Sequence, residues 1–261
     1  MDQAITKVPV SDKEVERQRF EQLAETALKT QETQLCLGSA GMPLVLRRPY
    51  LRFEELLGQA VSPGDEVLDI CCGDGQFSFF PAQIGARVTG LDLSRKSLFL
   101  AEKRCPEELR ERVRWCEGDC EELPFEDGAF SGVICAGGLS YGDWEKVLSE
   151  LRRVLQPGGW FIAVDSFNHS PVYRLNRWRH WLRGRRTATV NRRIPSRKWL
   201  DLAGGYFAGL SVEHFGAFSF MAPILQPLAG EVRTARWLND CDKWPGVPKS
   251  WAFKIVVKAE T

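Results

Sequence analysis

The feature that most constrains this chain is an alternation of short apolar strands with helical segments through its middle. The run EVLDI, residues 66–70, leads into the glycine-containing turn CCGDG. A strand at 87–94 and a helix at 97–105 follow, and the same order recurs further along the chain. Strands that alternate with helices pair in parallel through crossovers, with helices on both faces of the sheet. The pattern therefore predicts a doubly wound α/β fold.

The remaining elements complete this prediction. A helix at 144–155 stops at Pro157-Gly158-Gly159 and leads into a fifth strand. We expect a mostly parallel, seven-stranded sheet preceded by N-terminal helices, with a helical lid inserted after the fifth strand. The other predicted strands lie at 112–119, 130–137, 210–218 and 250–259. The division expected is an N-terminal helical cap at 1–60 and a main domain at 61–261, with lid segments at about 167–209 and 219–249.

Composition narrows the class of protein. The 35 basic and 34 acidic residues nearly cancel, so the overall charge does not indicate a nucleic-acid coat. Eight cysteines occur without a C-x-x-C pair, and the polar amino terminus lacks a signal-peptide core, which together predict buried thiols and a cytoplasmic location. We expect no metal site. The longest uncharged stretch, 215–230, is too short for a membrane span and contains two prolines.

The turn after the first strand is the first candidate binding element. In an open parallel sheet, ligands bind beyond the carboxyl ends of the strands, and the first turn supplies close backbone contacts. Gly73 and Gly75 permit a tight turn and a close ligand approach because they have no Cβ. Such turns also occur for purely structural reasons, so this signal alone leaves the function open.

A carboxylate at the end of the second strand strengthens the prediction. Asp92 stands where a side chain accepts hydrogen bonds from the ribose hydroxyls of a nucleoside ligand. The alternative role, capping the next helix, can be filled by Ser94. The sequence therefore favours the ribose contact.

Four motifs in order resemble those of class I S-adenosylmethionine-dependent methyltransferases over roughly residues 65–166. They are VLDICCGDG, GLDLS, GDCEELPFEDGAFSGVIC and ELRRVLQPGGWFIAVD. The resemblance implies a Rossmann-like fold, S-adenosylmethionine as cofactor and S-adenosylhomocysteine as product. A nicotinamide dehydrogenase is the rival, since Gly73-x-Gly75-x-x-Ser78 approaches its fingerprint, but Asp119 and RVLQPGGW favour the methyltransferase.

The same resemblance assigns cofactor contacts. It implies that Asp69, Gly73 and the backbone near Cys71 hold the methionyl part, and that Asp92 holds the ribose. Leu93 is expected to pack on adenine, and Asp119 and Cys120 to meet its edge. Cys71 stands where the family usually has glycine, so we expect a tighter pocket. The predicted cofactor site also includes Gly75 and Cys135.

Residues 166–200 carry ten Lys or Arg, nine of them Arg, and no Asp or Glu. Guanidinium groups bind phosphate and carboxylate oxygens in pairs, so the segment predicts an anionic ligand, with a solvated basic face as the alternative. Val172, Leu175, Trp178 and Leu182 form one helical stripe, which predicts a basic amphipathic helix. That helix either caps the pocket or makes peripheral contact with an anionic membrane through 172–183.

The tract HSPVYRLNR also resembles methyltransferases associated with bacterial surface-polysaccharide synthesis, which implies a sugar-hydroxyl acceptor on a nucleotide or lipid diphosphate. A methyl group on a sulfonium is already activated, so the protein aligns the acceptor, and a hydroxyl acceptor also needs a base. His169 is the base hypothesis, with a loop histidine that merely forms a hydrogen bond as the alternative. The other predicted substrate residues are Tyr141, Asp165, Asn168 and Arg177.

Three other functions stay open at this point. A nucleic-acid methyltransferase would use the arginines for backbone contacts, but no separate RNA- or DNA-binding module is visible, so no stable nucleic-acid partner is expected. A cofactor-binding protein that has lost catalysis is the second. Thiol-based chemistry, such as arsenic methylation, is suggested only by the eight cysteines. The sequence leaves the oligomeric state open.

Overall fold

The computed structural model describes residues 11–30, 38–182 and 187–261, apart from the side chains of 176 and 179–182. Seven strands form one sheet. The strands are β1 (Glu66–Ile70), β2 (Arg87–Asp92), β3 (Val113–Glu117), β4 (Phe130–Ala136), β5 (Leu155–Ser166), β6 (Ala208–Phe215) and β7 (Lys254–Glu260). Their order is β3-β2-β1-β4-β5-β7-β6, and β7 alone runs antiparallel to its neighbours. The prediction of a mostly parallel, seven-stranded sheet is confirmed.

Ten helices accompany the sheet in the part of the chain that the structure describes. They are α1 (Asp12–Lys29), α2 (Leu44–Ala60), α3 (Phe79–Ile84), α4 (Arg95–Arg104), α5 (Trp144–Val154), α6 (Pro171–Leu182), α7 (Ala188–Arg192), α8 (Arg197–Tyr206), α9 (Ala222–Ala229) and α10 (Glu231–Cys241). Short 3₁₀ turns lie at Gly38–Gly41, Glu107–Leu109, Ser219–Met221 and Lys249–Trp251.

Side chains that alternate along β1 are buried on opposite faces of the sheet. Leu68 and Ile70 belong to one buried cluster, which also contains side chains of α5 and α8, whereas Val67 belongs to the cluster with α2 and α3. Successive side chains of a strand point to opposite faces, so both faces of β1 are covered. Phe53 and Leu57 of α2 are fully buried in that second cluster, so α2 is part of the core.

The strand order places the site. The sheet winds outward in both directions from β1, which pairs with β2 on one side and β4 on the other. The carboxyl ends of β1 and β4 therefore form the switch point at which open α/β sheets bind ligands. Three helices, α6, α7 and α8, follow β5. Their role as a lid stays a prediction.

Candidate active site

A cavity of about 350 Å³ opens at the carboxyl ends of β1, β2 and β4. This volume is in the usual range for small-molecule sites. Its walls come from the turns after these strands and from residues of α1, α2 and α7. The lining residues are Asp12, Lys13, Glu16, Arg17, Phe20, Met42, Tyr50, Cys71, Cys72, Gly73, Asp74, Gln76, Phe77, Leu91, Asp92, Leu93, Ser94, Gly118, Cys120, Ala136, Gly137, Gly138, Tyr141, Thr189, Val190 and Arg193.

Two glycines form an open cradle in the cavity wall. Gly73 after β1 has φ +57° and Gly137 after β4 has φ +87°, and a Cβ built on either would meet no atom within 4 Å. Left-handed backbone is easily adopted by glycine, and the missing Cβ lets a ligand approach the main chain. Gly75 differs, because a Cβ there would lie 2.5 Å from the Trp115 ring. The structure therefore gives Gly75 a packing role outside the cavity lining.

Asp92 holds the Gly73 turn in place. Its Oδ2 accepts a hydrogen bond from the Gly73 amide (2.9 Å) and its Oδ1 accepts one from the Ser94 amide (2.8 Å). Burial raises the pKa of Asp92, although these two amides oppose the rise. The Ser94 hydroxyl accepts from the Ser97 amide at the start of α4. Ser94 therefore caps α4, and Asp92 is not needed for that role. Each Asp92 oxygen accepts only one of these amide hydrogen bonds, so it keeps a lone pair for a ligand hydroxyl.

Asp69 lies beneath the turn rather than in the cavity wall. It is buried, and its Oδ2 accepts a hydrogen bond from the Ser78 hydroxyl at 2.6 Å. Burial raises the pKa of Asp69 to about 7, and the nearby charge of Asp92 adds to the rise. Asp69 therefore braces the turn from behind.

Cys71 is the one non-glycine residue with positive φ (+54°) among the described residues. A left-handed conformation costs an L-residue roughly 1–2 kcal/mol, so the turn holds Cys71 under backbone strain. A hydrogen bond with Cys120, together with burial, raises the pKa of the Cys71 thiol. Both thiols line the cavity, whereas Cys135 is buried in β4 behind Gly138. All seven cysteines in the described residues are free, and Cys36 lies outside those residues.

Helix α1 is held at the cavity wall by polar contacts that join distant parts of the chain. Lys13 Nζ lies 2.6 Å from Asp119 Oδ2 and 3.1 Å from Glu121 Oε2. The Asp119 Oδ1 accepts the Glu121 amide at 2.9 Å. Asp119 thus holds α1 and its own loop, and it does not line the cavity, whereas Leu93 and Cys120 do.

Glu16 and Tyr141 are joined by Arg19 at one end of the cavity. The Glu16 side chain is buried, its Oε1 accepts the Thr187 amide at 3.1 Å, and its Oε2 lies 3.1 Å from Arg19 Nη1. Arg19 Nη2 also donates to the Tyr141 hydroxyl at 3.4 Å. The Tyr141 ring packs edge-on against Phe20 at 5.4 Å. A carboxylate and a phenol thus lie together at the cavity wall.

The charges that line the cavity do not form an anion site. Four carboxylates and three cations occur among the described lining residues. Each cation already has a carboxylate partner: Lys13 as above, Arg17 with Glu14 and Glu21, and Arg193 with Asp143. Two of the lining carboxylates also have cationic partners outside the lining, Glu16 with Arg19 and Asp74 with Arg104, so most of the charge at the cavity wall is already paired.

The predicted base, His169, and three of the four predicted substrate residues lie outside the cavity lining. The His169 Nε2 accepts the Arg197 amide in the first turn of α8 (3.3 Å), and burial lowers the pKa of His169. Arg177 donates to Asn168 Oδ1 (3.1 Å) and to the Phe167 carbonyl (3.1 Å). Asp165 is buried and accepts the Leu139 amide at 2.9 Å. These residues tie the end of β5 to α6, α8 and the loop after β4.

Several lining residues were missed by the sequence analysis. The α1 residues were missed because an amphipathic helix carries no sign of what it covers. Tyr50 and Phe77, whose rings stack at 5.4 Å, were missed because aromatic residues usually signal core. Gly137 could have been found, since a glycine that ends a parallel strand beside the switch point is a signal similar to Gly73.

Comparison with known proteins agrees with this geometry. Residues 67–159 match the family model Methyltransf_25, described as a methyltransferase domain. The match covers less than half of the chain, so these residues are similar to a methyltransferase domain. The seven-stranded sheet that contains them is similar in fold to solved methyltransferase structures.

Curated relatives match over less than half of this chain. An uncharacterized methyltransferase of Synechocystis sp. is 37% identical over 125 residues, which cover 47% of this chain and 54% of the relative. A 2-phytyl-1,4-naphtoquinone methyltransferase of the same organism is 41% identical over 110 residues, covering 40% and 46%. The chain thus spans about half the length of the curated relatives it matches.

A solved structure extends the likeness in fold. The geranyl diphosphate C-methyltransferase of Streptomyces coelicolor, crystallised with Mg²⁺, geranyl diphosphate and S-adenosyl-L-homocysteine, superposes with a TM-score of 0.59 at 17% identity. The match covers 82% of this chain and 80% of that one. No three His, Cys, Asp or Glu side chains of the described residues are grouped to hold a metal ion. No helix in the described ranges is long and apolar enough to span a membrane.

Proposed function

We propose that this protein transfers the methyl group of S-adenosylmethionine to a small, neutral, ring-bearing acceptor and releases S-adenosylhomocysteine. The cofactor supplies an activated methyl group on a sulfonium. Gly73 and Gly137 leave room for it beside the main chain, and Asp92 has lone pairs for its ribose. Leu93 and Cys120 would flank the adenine. The residues present therefore fit this cofactor.

The aromatic lining of the cavity carries the acceptor assignment. Phe20, Tyr50, Phe77 and Tyr141 line it, and every described cation there is already paired with a carboxylate. Flat aromatic walls favour a flat or unsaturated acceptor through stacking, whereas a diphosphate would leave its charge without a partner. A ring acceptor also agrees with the naphthoquinone named for one relative. The sugar hydroxyl on a diphosphate carrier is the second candidate, supported by the arginine-rich segment and by the resemblance of the HSPVYRLNR tract to methyltransferases of surface-polysaccharide synthesis.

Two groups in the cavity are placed to manage the acceptor's proton. Glu16 is a buried carboxylate at the cavity wall, and Arg19 links it to the Tyr141 hydroxyl. We assign Glu16 the role of base and Tyr141 the role of orienting the acceptor. His169 remains as an alternative base, but it lies outside the cavity lining, whereas Glu16 is part of it.

The experiment uses the purified protein with methyl-labelled S-adenosylmethionine and three acceptor pools: reduced naphthoquinones, sugar nucleotides with lipid-linked sugars, and RNA. We expect label in the quinone pool. Tyr50→Leu should lower this transfer at unchanged cofactor affinity, whereas Phe125→Leu, whose ring packs on Phe130 outside the cavity, should not. Glu16→Gln should lower kcat without changing cofactor affinity.

Each other outcome has a defined meaning. Label only in sugars would move the assignment to the second candidate, and label only in RNA would establish a nucleic-acid methyltransferase. Cofactor binding without transfer to any pool would indicate a non-catalytic binding protein. Transfer that is unaffected by Tyr50→Leu would contradict the aromatic acceptor site.

A further inference from the structure

Two helices at the surface expose large apolar side chains. On α6, Leu175 is 60% exposed and Trp178 is 52% exposed, and Val172 is also exposed. On α9, Ile224 is 67% exposed and Leu228 is 82% exposed. Single exposed apolar residues are ordinary, but several on one helix face mark a binding surface.

The apolar face of α6 points outward because its other face is fastened to the protein. Tyr173 and Arg177, one helical turn apart, are buried. The Tyr173 hydroxyl donates to the Gly216 carbonyl at 2.8 Å, and Arg177 donates to the Phe167 carbonyl. At 100° per residue, Leu175 lies nearly opposite this buried pair, with Trp178 one turn away. The outward apolar face is therefore fixed by the packing.

Helix α9 adjoins α6 through the turn that precedes it. Phe220, in the Ser219–Met221 turn, meets the Tyr173 ring edge-on at 6.2 Å. The eight residues of α9, APILQPLA, contain no charged side chain, and most of them are exposed. Two neighbouring helices thus present apolar side chains to the surroundings.

The charge around α6 indicates what covers this surface. Residues 166–200 contain ten Lys or Arg and no Asp or Glu, and Arg174 is exposed on α6 itself. Three more arginines, at 183, 185 and 186, follow the helix in sequence, outside the described residues. Leucine and tryptophan flanked by arginines are typical of helices that lie in the interface of an anionic bilayer. A protein partner would need matching carboxylates, whereas an anionic membrane supplies both acyl chains and phosphates.

We propose that the outward faces of α6 and α9, together with Arg174 on α6, form a docking surface for an anionic phospholipid bilayer. The helix that follows, α7, contacts α6 and lines the cavity with Thr189 and Val190. A docked bilayer therefore lies beside the helix that borders the cavity. The surface stands independently of the proposed function, because it rests on different residues and on binding alone.

The test is sedimentation of the full chain with vesicles of phosphatidylcholine alone, or with roughly one third phosphatidylglycerol. We expect binding to the anionic vesicles that weakens at roughly 0.5 M salt, and little binding to the neutral ones. The double variants Leu175→Ser/Trp178→Ser and Ile224→Ser/Leu228→Ser should each lower the partition coefficient at least about tenfold. Arg174→Gln should weaken binding to the anionic vesicles and reduce its salt dependence.

A matched control comes from another helix. Phe99 on α4 is 48% exposed, so Phe99→Ser removes an exposed apolar side chain elsewhere and should leave vesicle binding unchanged. Circular dichroism and cofactor affinity show whether each variant remains folded. The proposal would be overturned if the wild-type protein did not bind anionic vesicles. It would also be overturned if Phe99→Ser lowered vesicle binding as much as the α6 and α9 variants do. Self-association that disappears in the α6 variant would assign the face to a second copy of the chain instead.

Discussion

The glycine cradle permits a paired test of the cofactor site. Gly73 (φ +57°) and Gly209 (φ +60°) have nearly the same backbone angle, and a Cβ on either would meet no atom within 4 Å. Gly73 lines the cavity and Gly209 does not. Gly73→Ala and Gly209→Ala therefore impose the same backbone penalty, but only the first places a methyl group where the ligand would lie.

The magnitudes follow from this geometry. A left-handed alanine costs roughly 1–2 kcal/mol, and the reduced entropy of the unfolded chain offsets about 0.4–1 kcal/mol of it. Each variant should thus lose about 1 kcal/mol of unfolding free energy, which lowers Tm by about 2–4 °C in a chain of this size. Gly73→Ala should also raise the Kd for S-adenosylmethionine at least about tenfold, or about 1.4 kcal/mol.

Calorimetric titration with S-adenosylmethionine and S-adenosylhomocysteine, beside thermal unfolding, separates the two effects. Wild-type affinity in Gly73→Ala would refute the cradle, since the added Cβ would then lie away from the ligand. Equal loss of affinity in Gly209→Ala would show that the binding defect reflects destabilisation rather than contact.

Four further changes test neighbouring features. Asp92→Ala removes the acceptor of the Gly73 and Ser94 amides and the proposed ribose contact, so cofactor affinity should fall by about 2 kcal/mol in the same titration. Asp69→Asn tests the buried carboxyl: because burial raises its folded pKa to about 7 from 3.8, its stabilising contribution is complete below about pH 4 and is lost as the pH rises through 7. The Tm of Asp69→Asn relative to wild type should therefore increase from pH 5 to pH 8, and a flat difference would contradict the raised pKa. His169→Ala should keep turnover within about twofold, because the imidazole lies outside the cavity lining, and a large fall in kcat would restore it as base. Lys13→Met removes partly exposed ion pairs from α1 and should cost under about 1 kcal/mol, while faster hydrogen exchange in α1 reports the loosened contact.

The cofactor half of the molecule could be predicted from sequence because its signals are local. The strand that ends in Asp92 and the glycine turn at Gly73 are read from neighbouring residues, and the structure places both in the cavity wall. Ser94 as the helix cap was a local prediction of the same kind. The burial of α5 residues Val147, Leu148, Leu151 and Val154 follows directly from helical spacing.

The acceptor half could not be predicted in this way. Three predicted site residues follow the fifth strand: Asn168, His169 and Arg177. In the structure, Arg177 donates hydrogen bonds to Asn168 and to the Phe167 carbonyl, and His169 accepts one from the Arg197 amide. A position after a strand end specifies an edge of the sheet, not the direction of the side chain. The anionic acceptor suggested by the arginines stays a prediction, because composition does not show which charges are already paired or which face of a helix is turned outward.

The sequence by itself determined the doubly wound sheet, the binding edge and the candidate cofactor residues, because hydrophobic periodicity and glycine turns act within a few residues. Only the tertiary structure decided what closes the cavity. Lys13 meets Asp119 across 106 positions of sequence, and Glu16 meets the amide of Thr187 across 171. Contacts over such separations depend on how the finished sheet brings distant segments together, and no local pattern in either segment encodes its partner.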